Sequence, residues 1–150
     1  MRQMLTGILS GVAGEYFVAA ELSKRGYIAS ITLRNSKGVD ILCSNSEATK
    51  SVGIQVKTNQ GSGIEWVLDK KVEEFYADNL FYVFVSLNNN QCPPDYFVVP
   101  SKIVAEFAKF SHQTWLSTPG KKGQTHKDGR MRKFRDDERK FHNKWNLLNL

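Results

Sequence analysis

Apolar and polar positions repeat along this chain with two different periods. From Gly11 to Arg25 the apolar residues Val12, Tyr16, Ala19, Ala20 and Leu22 recur mostly at three- and four-residue steps, the mark of a helix with one buried stripe. Ser10 is placed to cap its start and Gly26 to end it. Glu15 borders the stripe, whereas Glu21, four residues before Arg25, reads as half of a surface ion pair. The period then shortens. Tyr27 to Leu33, Val39 to Cys43 and Val52 to Thr58 read as three strands, with turns at Asn35-Ser36-Lys37-Gly38 and Asn45-Ser46-Glu47. Turns this short predict an antiparallel meander.

Strand side chains alternate, so Val52, Ile54 and Val56 point one way while Gly53, Gln55 and Lys57 point the other. By the same rule Val39, Ile41 and Cys43 face the core, and Asp40 emerges opposite them with Leu42. Asp69 to Tyr76 is expected to form a second helix, and the unbroken run Leu80 to Leu87 suits a strand buried on both faces. Asn88-Asn89-Asn90 is a turn, Tyr96 to Val99 a strand halted by Pro100, and Ser101 the opening of a helix over Lys102 to Phe110. The order helix, three strands, helix, strand predicts an α/β protein with a mixed sheet flanked by helices. From Ser117 to Arg139 the pattern is that of a loop with a poorly defined helix. Phe134, Phe141, Trp145 and Leu148, at helical spacing, are expected to dock the C-terminus on the core.

Length and composition narrow the class. A chain of 150 residues, 41% hydrophobic and 24% charged, matches one globular domain spanning 1–150 with a core of ordinary size. No apolar run approaches the roughly 20 residues of a membrane span, and the first nine residues are too broken for a signal-peptide core; a cytoplasmic location is expected. Cys43 and Cys92 form no metal-binding pair and read as reduced structural thiols. The net charge of +6 is unevenly distributed. Residues 1–100 hold 9 Lys and Arg against 10 Asp and Glu, while residues 101–150 hold 12 against 5. A localised positive field attracts phosphate backbones. Lys121, Lys122, Lys127, Arg130, Arg132 and Lys133, in the basic segment 117–150, are the candidate nucleic-acid contacts, with Asp136-Asp137-Glu138 beside them as a partial counterweight.

No two of His112, His126 and His142 stand at a helical metal-binding step. Trp66, Trp115 and Trp145 read first as core or docking residues and only then as base-stacking platforms. The chemistry lies upstream. Asp40 and Glu15 offer carboxylates, Gln55 an amide oxygen, Val56 a main-chain carbonyl and Lys57 an ammonium. Mg2+ is commonly held by one or two carboxylates together with substrate phosphate, and a bound cation eases attack on a phosphodiester. Lys57 could orient the attacking water or stabilise developing charge.

Glu15 eleven residues before Gly26, the Gly38-Val39-Asp40 turn into the second strand, and Gln55-Val56-Lys57-Thr58 together resemble the PD-(D/E)XK nuclease superfamily, with Holliday junction resolvases the members of most similar layout. The motifs cover about residues 11–60, and the helix and strand layout extends more loosely to about residue 110. The resemblance implies a restriction-endonuclease-like core with a basic C-terminal extension. It also implies Mg2+ or Mn2+ held by Glu15, Asp40, Gln55 and Val56, and DNA, duplex or branched, as substrate, with RNA as a further possibility. A homodimer is expected because two sites cut two strands. Val39 stands where the motif usually has proline, and Gln55 where glutamate is more frequent. The amide removes one negative charge from the site, which leaves a catalytically weak nucleic-acid-binding or protein-interaction module of the same fold as the rival reading.

Overall fold

The computed structural model describes residues 4–33 and 36–150; Asn35, expected in the first turn, lies outside them. Helix α1 runs Gly7–Lys24, one turn earlier than expected, because Thr6 is the cap: its hydroxyl accepts from the Leu9 N–H at 3.2 Å. Ser10 sits inside the helix and donates back to the Thr6 carbonyl at 3.0 Å. Gly26, at φ +84°, turns the chain out, with its N–H on the Ser23 carbonyl at 3.0 Å. The buried stripe is Ser10, Gly14, Val18 and Leu22, and Tyr16, expected inside, is 65% exposed. Close approach explains the difference. A Cβ added at Gly14 would lie 1.8 Å from the Thr58 Oγ1, so the helix rides on the sheet along its small residues and the bulky ones turn outward.

Strands β1 (Ile28–Ile31), β2 (Ile41–Ser44) and β3 (Ser51–Asn59) form the expected antiparallel meander. The chain continues through β4 (Glu65–Asp69), a 3-10 turn at Lys70–Glu73, β5 (Leu80–Ser86), β6 (Asp95–Pro100), α2 (Ser101–Ser117) and β7 (Met131–Arg135). The central sheet has the order β1-β2-β3-β5-β6, with β5 parallel to β3 and β6 antiparallel to β5. All seven residues of β5 are buried, as a strand covered on both faces requires. Val18, Leu22, Ile41, Ile54 and Val83 fill the α1 side; Trp66, Phe84, Phe97, Val104 and Phe134 fill the α2 side.

Several expectations give way. In place of a helix over Asp69 to Tyr76 stand the end of β4 and the short 3-10 turn. Ser101 is the first residue of α2 but does not cap it; its hydroxyl bridges to Ala77, donating to the carbonyl at 3.0 Å and accepting from the N–H at 3.1 Å. The basic segment holds no α-helix after α2. It holds β7, which pairs antiparallel with β4, Trp66 facing Phe134. Phe134, Trp145 and Leu148 are buried and Phe141 partly so, but on a strand, a 3-10 turn and an isolated bridge region rather than on one helix. Among the described residues no helix is long and apolar enough to cross a membrane.

Candidate active site

Asp40 stands immediately before β2, where the meander opens. Its N–H donates to the Ile54 carbonyl at 2.8 Å, and since Ile41 faces Ile54, Asp40 falls opposite Gln55. β2 begins at Ile41 while β3 runs on to Asn59, so β3 extends past its neighbour. The Asp40 carboxylate takes the place of the missing strand: its Oδ2 accepts the Val56 N–H at 2.7 Å. A residue's N–H and C=O leave a strand on the same side, so the Val56 carbonyl lies along the same open edge. Thr32 steadies the turn, its hydroxyl donating to the Val39 carbonyl at 2.6 Å and its N–H to the Asp40 carbonyl at 2.9 Å.

Glu15 reaches this edge from the helix layer. Glu15 and Asp40 line one cavity of about 250 Å3, together with Gly11, Val12, Thr32 and Leu33. Two carboxylates separated by 25 residues in sequence thus meet at one opening. Gln55 and Lys57 are half-buried and are not on this cavity's wall. They lie on β3 on the face shared with Asp40, with Val56 between them. Tyr82, paired with Gln55 on β5, was not expected near the site; burial, with a smaller push from the Asp40 charge, raises its phenol to about 12. Neither Thr32 nor Tyr82 carries a sequence signal, since each acts through a pairing that only the fold creates.

The donor set is lean. Among the described residues no group of three or more His, Cys, Asp or Glu is placed to hold a metal. The two carboxylates on the cavity wall, with the Val56 carbonyl at the strand edge beside Asp40, are oxygen donors of the kind that suits a hard divalent cation retaining waters rather than zinc. Cys43 is buried, and burial pushes its thiol up to about 11, so it is a packing residue.

The basic residues divide. Lys121, Lys122 and Lys127 are exposed. Arg130 pairs with Asp69 at 2.9 Å and Lys133 with Glu65 at 2.8 Å, both on the surface. Arg132, expected among the nucleic-acid contacts, is 3% exposed and holds Glu73 at 2.5 Å. Its guanidinium also donates to the Gly129 and Met131 carbonyls, so it is a largely buried strut at the wall of the opening between α2 and β7. The alternation of β7 turns it inward beside Phe134. Trp66 and Trp145 are core residues as expected.

No family model matches the chain, and no curated protein matches its sequence. Solved structures do match. A bacterial homing endonuclease aligns over 97% of this chain and 94% of its own, with a TM-score of 0.54 at 16% identity. Hjc, a Holliday junction resolvase from the archaeal hyperthermophile Archaeoglobus fulgidus, aligns over 91% of this chain and 92% of its own, with a TM-score of 0.52 at 13% identity. The helix, the antiparallel meander, the parallel crossover to β5 and these two near full-length alignments show a restriction-endonuclease-like fold, shared with these two nucleases.

Proposed function

We propose that the protein is a metal-dependent endonuclease that hydrolyses phosphodiester bonds in DNA. The observation that carries this reading is the meeting of Glu15 and Asp40 in one cavity, with Asp40 hydrogen-bonded to the strand segment Gln55-Val56-Lys57. Glu15, Asp40, the Gln55 amide oxygen and the Val56 carbonyl would hold Mg2+ or Mn2+. When bound, such a cation supplies Lewis acidity toward the phosphoryl oxygens and lowers the pKa of water.

The chain's own residues do the rest. Asp40, fixed by the Val56 N–H, cannot swing away from the strand edge, so its carboxylate is preorganised before substrate arrives. Glu15 brings the second carboxylate to the cavity from the helix layer. Lys57 orients the attacking water or stabilises the charge that builds on phosphorus. Lys121, Lys122, Lys127, Arg130 and Lys133 meet the phosphate backbone. Two copies in a homodimer would cut both strands of a duplex or junction.

Incubation with supercoiled, junction-containing and single-stranded DNA, and with RNA, in Mg2+, Mn2+ or EDTA tests this. Cleavage should require the metal, favour DNA, and fall on the order of a hundredfold or more in Asp40→Ala and in Lys57→Ala. The Gln55 amide, which leaves the site one charge poorer than a glutamate, favours one rival: a binding module with a spent site. Salt-dependent DNA binding with no metal-dependent cleavage under any of these conditions would decide for the rival.

A further inference from the structure

A second opening lies between α2 and β7, away from the Glu15 and Asp40 cavity. It has a volume of about 640 Å3, within the roughly 300–1,000 Å3 of ligand sites. Trp115 from α2 and Met131 from β7 line it and are 45% and 61% exposed. Trp115 stands in a row of rings, with His126 4.0 Å away at 22° and His112 5.6 Å away at 29°, centroid to centroid. Asp128 fixes the end of the row through His112 at 2.8 Å. His126 thus covers one face of the indole, and the part of Trp115 left exposed on the groove wall is surface on which a further flat ring can stack.

The charge on the same walls is one-sided. Lys127, Arg130, Arg132, Lys133 and Arg135 line the groove, with Glu65 the one carboxylate among its lining residues. Arg130 and Lys133 do have carboxylate partners, Asp69 and Glu65. Exposed pairs of this kind are weak, so a phosphate displaces the carboxylates at little cost.

We propose that this groove takes an unstacked base of a DNA strand against the Trp115 ring row, with Lys127, Arg130 and Lys133 on the flanking phosphates. The proposal rests on the nucleic-acid part of the function above and not on cleavage. It assigns the substrate class: DNA with an unpaired or splayed base, as at a branch or single-stranded segment, since a base inside an intact duplex shows no free face.

The other two tryptophans are buried, at 2% and 4% exposure, so Trp115 dominates quenching by a bound ligand. The full chain in EDTA is titrated with a short single-stranded DNA, an abasic strand of equal length, a blunt duplex and an oligoglutamate of equal charge. Intrinsic fluorescence and affinity are followed. The base-bearing strand should quench and bind about tenfold or more tighter than the abasic one. Trp115→Ala should erase that preference, while Trp115→Phe, which keeps a flat ring, should retain most of it with circular dichroism unchanged. Equal affinity for abasic and base-bearing strands, a preference untouched by Trp115→Ala, or equal quenching by oligoglutamate would each overturn the groove. Because no metal is present, these outcomes are independent of the cleavage assay: metal-dependent cutting alongside a failed titration would sink the groove alone.

Discussion

The two faces of the central sheet are covered by opposite means. On one, α1 lays Ser10, Gly14, Val18 and Leu22 on β3, and at Gly14 the approach is so close that no side chain fits. On the other, large rings do the filling: Phe84 and Phe134 stack with centroids 4.6 Å apart, and Trp66 lies 4.9 Å from Phe84 with its indole N–H on the Val85 carbonyl at 3.0 Å. A close helix brings Glu15 to the edge where Asp40 sits, at the cost of tolerance to any added atom. The aromatic side carries the bulk of a stable core, sealed by β4 and β7, and gathers the exposed cations on its outer surface.

The largest effect is expected on the aromatic side, at the pair of Arg132 and Glu73. Both are largely buried, at 3% and 16% side-chain exposure, and 2.5 Å apart. Arg132→Ala should cost about 3–5 kcal/mol, because Glu73 is left as an uncompensated buried charge. Replacing both, as Arg132→Met with Glu73→Leu, should recover most of that loss. Chemical denaturation reads both numbers. If Arg132→Ala proves nearly neutral while DNA affinity falls, the side chain belongs to the ligand surface and the contrast between the faces weakens.

The α1 side breaks differently. Gly14→Ala drives a methyl into Thr58 and should cost about 1–3 kcal/mol, the usual range for overpacking. Cleavage should fall further than stability does, since the helix that shifts carries Glu15. Thr58→Ala alone should be close to neutral: the Thr58 hydroxyl is buried with no hydrogen-bond partner, so removing it forfeits no bond. Combined, the two substitutions should regain at least half of the Gly14→Ala loss, because the offending atom is gone. Strictly additive losses in the double-mutant cycle would show that the Gly14 contact does not set the helix position.

How far the sequence spoke depends on the range of the interaction. Period two in Val52 to Thr58 put Gln55 and Lys57 on one face, with Asp40 joining it from the neighbouring strand, and the apolar run Leu80 to Leu87 was a strand buried on both sides. Those are local patterns. The stripe of α1 was misread because Val12, Tyr16 and Ala19 have helical spacing, while the depth of the helix is decided by Gly14 meeting Thr58, 44 residues away. β7 was missed because the inward Arg132 masks its alternation, and only Glu73 makes that arginine acceptable inside. The convergence of Glu15 with Asp40 could be stated in advance only through family resemblance; nothing in spacing alone places a helix residue at a strand edge.

The smallest expected effect lies far from both faces' centres, where the C-terminal segment is tied to β6. Asp95 accepts from His142 at 2.9 Å and from Asn88 at 3.3 Å, and Arg139 stands 3.3 Å away. Burial works to raise its pKa, but the bonds from His142 and Asn88 and the nearby Arg139 charge outweigh it and hold the carboxyl below the usual range. A group whose folded pKa is depressed contributes stability above its unfolded value, ordinarily about 3.9, and loses that contribution as the pH falls through the folded one. Asp95→Asn should therefore lower stability modestly at neutral pH and flatten the acid limb of a stability curve measured below about pH 4. Stability of the variant and the parent should converge at the acid end. If the two curves stay parallel down to the acid end, the ion contacts of Asp95 contribute nothing to the docking of the C-terminal segment, and that task falls to the buried Trp145 and Leu148 and to the main-chain bonds of Phe141 and Asn143 with β6.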